Sequence, residues 1–143
     1  MTTTTTPATD LADRLTALAE HLRTHPEVPN VKIDGRSLDP ETITLQISTY
    51  PWKGEPQNTA ALLLWAKSFG DNGSVWLGIH GEPRNRATYV EVVGKIGGRR
   101  VRVWDVDFGE LYRLTKDGVM LPMSVTQLTE YVEAGTVEGI GAA

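Results

Sequence analysis

Leu11, Leu15, Leu18 and Leu22 recur at spacings of four, three and four, the apolar stripe of an amphipathic helix. Asp10 stands where an N-cap is needed, and Pro26 and Pro29 stop the run. Two short alternating segments follow. Val31 and Ile33 are set against Lys32 and Asp34, and Ile43, Leu45 and Ile47 against Thr42, Thr44, Gln46 and Ser48. That pattern predicts two strands with one buried and one wet face, and Asp34-Gly35 and Asp39-Pro40 supply turn chemistry between them.

A loop from Tyr50 to Pro56, punctuated by two prolines and a glycine, leads to a second helix. Asn58 or Thr59 is placed to cap it and Gly70 to end it. Ala61, Leu62, Leu63, Leu64, Trp65 and Ala66 make it apolar almost all round, the pattern of a deeply buried helix. Beyond it, Val75, Leu77 and Ile79 alternate with Trp76, Gly78 and His80. Tyr89 to Ile96 and Arg99 to Val106 flank Gly97-Gly98, a dipeptide suited to a two-residue hairpin turn. Glu110 to Leu114 reads as a further short strand. Pro122 then opens a last helix, with Val125, Leu128 and Val132 inward and Gly135 closing it.

Strand hairpins joined by one-faced helices predict a two-layer α+β domain: a mostly antiparallel sheet of about five strands with helices packed on one face. The domain spans residues 10–135, between a polar, threonine-rich tail (1–9), expected to be disordered, and a flexible tail (136–143). Its core should include Leu15, Leu18, Leu45, Leu63, Leu64, Val101 and Val103, and Leu64→Ala should then cost about 2–5 kcal/mol.

Charge changes this picture more than composition does. The chain of 143 residues carries 14 basic and 18 acidic side chains, a net −4. Between Arg84 and Trp104, however, Arg84, Arg86, Lys95, Arg99, Arg100 and Arg102 face Glu91 alone. The absence of cysteine excludes disulfides, thiolate metal sites and a cysteine nucleophile, and suits a reducing, cytoplasmic setting. No apolar run approaches the roughly 20 residues a membrane span requires, so no membrane is expected as a partner.

The alternation that buries Val101 and Val103 sends Arg100, Arg102, Trp104 and Val106 to the other side of their strand. The same parity turns out Trp76 and His80 on one strand, and Tyr89, Glu91, Val93 and Lys95 on another. If these strands are neighbours, Trp76, His80, Tyr89, Lys95, Arg100, Arg102 and Trp104 share one interaction face. Tryptophan and arginine anchor protein interfaces, and an uncovered sheet face is a common place for a dimer to form. Aromatic planes with cations also describe a platform for single-stranded nucleic acid, and Arg99 and Arg100 at the hairpin tip are within reach of a phosphate backbone. A one-residue bulge would instead bury the tryptophans as core.

Catalytic and metal-binding signals are thin. His21 and His25 are four apart on a helix, without the glutamate and third ligand of a zinc motif. His80-Gly81-Glu82 has deaminase-like spacing but lacks the cysteines that chemistry requires. Asp105 and Asp107 have the spacing to point the same way, but two acids entering the Phe108-Gly109 turn are expected at a solvated strand end. Gly94-Lys95-Ile96-Gly97-Gly98 is not a phosphate-binding loop, and Ser48, Ser68 and Ser124 lack elbow glycines.

His25-Pro26-Glu27-Val28-Pro29, Leu64-Trp65-Ala66-Lys67-Ser68-Phe69-Gly70 and Arg100-Val101-Arg102-Val103-Trp104 together carry a resemblance across about Leu11 to Val106. In these segments the chain resembles small uncharacterised proteins of actinobacteria and of their phages and integrative elements. The resemblance implies a setting among mobile genetic elements and brings no activity with it. The expectation is therefore a non-catalytic binding or regulatory module, homodimeric or bound to another protein, with no cofactor and no metal. The alternative is a nucleic-acid-binding accessory protein. Dialysis against a strong chelator should leave the thermal midpoint unchanged; a drop reversed by zinc would make His21 and His25 ligands.

Overall fold

The computed structural model describes residues 6–34, 41–47, 56–80 and 87–140. Three helices, α1 (Pro7–Thr24), α2 (Pro56–Ser68) and α3 (Val125–Ala134), pack with six strands. The strands are β1 (Val31–Ile33), β2 (Thr42–Ile47), β3 (Ser74–His80), β4 (Ala87–Ile96), β5 (Arg99–Asp107) and β6 (Leu121–Met123). Their order across the single sheet is β1-β2-β5-β4-β3-β6. Every neighbouring pair is antiparallel except β2 and β5. The α+β class and the mostly antiparallel sheet are therefore as expected. Among the described residues no helix is long and apolar enough to cross a membrane.

Parity organises the interior. Ile43, Leu45 and Ile47 of β2, Val75 and Leu77 of β3, Val90 and Val92 of β4, and Val101 and Val103 of β5 all join one buried cluster. Leu62 and Trp65 of α2, Leu128 and Tyr131 of α3 and Leu18 of α1 complete it. Gly97 and Gly98 both take positive φ (60° and 77°), so the β4–β5 hairpin closes with the twist its strands require.

The helix ends differ from the sequence reading. Thr6, not Asp10, caps α1, and its side chain accepts from the Thr9 amide, so residues 7–9 extend the helix into the expected tail. Pro56 starts α2, which puts Asn58 and Thr59 inside its first turn rather than at the cap. Pro122 belongs to edge strand β6, where a missing N–H is tolerated. Ser124 caps α3, in a reciprocal capping box with Gln127 that outcompetes proline as the start signal. Glu110–Leu114 is a 3₁₀ helix, not a strand. Past α3, Val137 and Ile140 pack on the core, and the Val137 amide donates to Glu110, so the expected flexible tail is docked over those residues.

Two expected core positions are exposed. In α1 the buried side chains are Arg14 and Leu18, whereas Leu11 and Leu15 face solvent. Over these first turns Asp10 pairs with Arg14 (2.9 Å) and with Arg99 at the hairpin tip, while further along Leu18 is buried and Leu22 packs on the core. Leu64 is 37% exposed, because α2 commits its Leu62, Trp65 and Ala66 side to the sheet. Ile33 is 62% exposed on edge strand β1, and Thr42 and Thr44, expected on a wet face, are buried. Leu62→Ala should destabilise by about 2–5 kcal/mol and Leu64→Ala by about 1 kcal/mol or less, measured by urea denaturation; equal losses would contradict this assignment of helix faces.

Candidate interaction face

Strand register assembles the outward residues into rows. Gln46, Trp104, Glu91, Trp76 and Pro122 are successive cross-strand partners on β2, β5, β4, β3 and β6. One pair along, Arg102 stands between Thr44 and Val93; another pair along, Arg100 stands between Thr42 and Lys95. Tyr89 pairs with Val106 and Gly78. All lie on the side of the sheet opposite the core positions. Trp76, Tyr89, Lys95, Arg100, Arg102 and Trp104 are thus brought onto one face, without an intervening bulge in the β3–β4–β5 register. His80 is the last residue of β3, paired with Ala87. Arg84 and Arg86 lie outside the described residues, as do Gly81, Glu82 and the loop at 48–55.

The centre of this face is polar and half-buried, and most of its donors have partners within it, Arg102 Nε and Thr44 Oγ1 excepted. The Tyr89 hydroxyl donates to Glu91 Oε2 (3.0 Å), and the same oxygen lies 3.0 Å from Arg102 Nε. Burial, then the Glu91 charge beside it, pushes the Tyr89 phenol well above its usual range. The Tyr89 and Trp104 rings meet at 5.5 Å in a tilted arrangement. Trp104 donates from Nε1 to Asp34 Oδ2 (3.0 Å) and Trp76 from Nε1 to Ser74 Oγ (3.2 Å). The Met120 thioether packs over Gly78, in space any side chain there would claim. Lys95, Arg99 and Arg100 stay exposed at the hairpin end.

The two acids of β5 are a different feature, on the core side. Both are buried, contrary to the expectation of a solvated strand end. Asp105 accepts from Asn58 Nδ2 (2.8 Å) and from the Val106 amide (2.8 Å). Asp107 accepts from the Thr59 hydroxyl, the Tyr131 hydroxyl (2.9 Å) and the Gly109 amide (2.8 Å). Desolvation raises Asp105 above the usual carboxylate range, opposed by its hydrogen bonds from Val106, Gln46 and Asn58. With each oxygen of Asp107 already a hydrogen-bond acceptor, this cluster ties α2 and α3 to β5. The sequence reading missed it because Asn58 and Thr59 are nearly fifty residues upstream.

His21 and His25 do meet, with rings stacked at 4.2 Å, and His21 in turn stacks on Trp65. His21 Nε2 lies 2.9 Å from Ser68 Oγ, and burial followed by the neighbouring His25 lowers its pKa, with Glu27 opposing. Among the described residues no group of three or more histidines and carboxylates has the geometry to hold a metal.

No protein-family model, curated protein or solved structure matches this chain.

The raised Asp105 pKa fixes the sign of a pH effect. Between the usual carboxylate range and the raised value, the folded chain holds a proton that the unfolded chain has lost, so stability falls as pH rises through that window. Relative to Asp105→Asn, the parent should therefore gain stability on acidification from pH 7 toward 4, measured by urea denaturation at each pH. A difference independent of pH would show that the site does not discriminate against the charged form.

Proposed function

We propose that the protein is a non-catalytic binding module that associates with a second copy of itself through the sheet face opposite its helices. One observation carries this reading. The aromatic donors at the centre of the face are already engaged within it, the two indole N–H groups by Asp34 and Ser74 and the Tyr89 hydroxyl by Glu91. Glu91 also offsets the Arg102 charge, although Arg102 Nε and Thr44 Oγ1 make no hydrogen bond. Covering the face therefore buries aromatic surface without taking the indole and phenol donors away from a partner, which limits the main cost of drying a polar patch. A two-fold axis lets the face meet an identical one, the commonest arrangement of soluble oligomers. A setting among mobile genetic elements belongs to the same proposal, on the sequence resemblance alone.

A nucleic-acid platform fits the centre of the face less well. There Arg102, the cation nearest the aromatic row, already faces Glu91, and a phosphate backbone would meet that carboxylate too.

Light scattering across a dilution series should show a dimer, and Trp104→Ala should weaken it at least about 30-fold, the loss of a hot-spot anchor of about 2 kcal/mol. Added salt should change the dissociation constant little. A parent that stays monomeric at every concentration, or a Trp104→Ala dimer as tight as the parent's, would overturn the proposal.

A further inference from the structure

Lys95 and Arg100 are directly opposed cross-strand partners on β4 and β5, with side chains on the same face. Like charges in that position repel, with Cβ atoms about 5 Å apart. Both are exposed, and among the described residues neither makes an ion pair. Arg99 adjoins them and leans the other way, to Asp10. Together with Gly98, Glu41 and Thr42 these three cations line a recess of about 490 Å³ at the hairpin tip. Arg99 shares its charge with Asp10, so Lys95 and Arg100 face one carboxylate there, the opposite balance to that of the whole chain, which is net negative.

This patch lies apart from the centre of the proposed dimer face. Arg100 is four residues from Trp104 along β5, about 13 Å at strand rise, and the Glu91 that neutralises Arg102 is as far from Lys95 along β4. A repulsive pair that no ion pair relieves is a liability for folding and an asset for binding, because an anion seated between the two relieves the repulsion. Arginine offers a planar fork of donors to a tetrahedral oxyanion, and lysine a compact point charge. Gly98 puts no side chain in the way: a Cβ built there meets nothing within 4 Å.

We infer that Lys95, Arg100 and Arg99, around Gly98, form a binding site for a phosphate-type dianion at the β4–β5 tip. Glu41, on the rim of the same recess, limits the affinity. The inference is independent of self-association, since the site lies within one chain.

The test is an amide-resolved NMR titration with inorganic phosphate at neutral pH, holding ionic strength constant with chloride. The amides of Gly97, Gly98, Arg99 and Arg100 should shift along saturable curves with a midpoint in the low millimolar range. Lys95→Gln combined with Arg100→Gln should weaken binding at least tenfold while the remaining spectrum stays that of the folded parent. Glu41→Gln should tighten binding. Arg23→Gln, at an exposed position on α1 distant in sequence from the tip, should change nothing. Methyl phosphate, also a dianion, separates the sources: retained affinity assigns phosphate borne on a larger molecule, and lost affinity assigns the free ion. Shifts that stay linear to 20 mM, or saturation that the double variant leaves unchanged, would overturn the site.

Discussion

The Asp107 carboxylate is the point on which the layer arrangement depends. It closes β5 and is only 2% exposed, and it accepts from Thr59 in the first turn of α2, from Tyr131 in α3 and from the Gly109 amide in the turn after the strand. A carboxylate this buried is tolerable only when its oxygens are hydrogen-bonded, so the two helices and the turn must converge on the same side of the sheet. Asp105 repeats the device one pleat earlier, with Asn58. With these helices held against one side, the opposite side keeps its own surface.

That opposite side is finished differently. Its indole and phenol donors are paired locally, and the Tyr89 and Trp104 rings lean on each other. At the hairpin end the matching stops, and Lys95 and Arg100 confront each other. The face thus has a middle in which aromatic rings flank one ion pair, and a cationic rim, two surfaces with different physical preferences. The middle suits dry contact with protein, and the rim suits an anion.

The parts legible in the sequence were those with local period. Alternation at Val75–Leu77, Val90–Val92 and Val101–Val103 fixes strand parity, so the company of Trp76, Tyr89, Arg102 and Trp104 on one face follows from the pattern alone. Gly97-Gly98 marks its turn for the same reason. What escaped was set by distant partners. In α1 Arg14 is buried while Leu11 and Leu15 are exposed, and Arg99 reaches Asp10 there across nearly ninety residues. The burial of Asp105 and Asp107 depends on Asn58 and Thr59, which look from the sequence like capping residues. The parallel pairing of β2 with β5 leaves no local trace at all. Pro122 was read as a helix start because proline favours both a first helical turn and an edge strand, and only the Ser124–Gln127 capping box decides between them.

The central claim is that one side of the sheet is closed by helices and the other only by a second copy. Solvent paramagnetic relaxation, read on backbone and indole protons with an inert gadolinium chelate, tests both halves in one experiment. In dilute solution Val93, Trp76 and Trp104 should relax strongly while Val92, Val103 and Leu45 are protected, and at high concentration the first group should become protected too. Relaxation of the Trp76 and Trp104 indoles that stays equally strong at all concentrations would contradict the account, as would protection of these rings already at the lowest one.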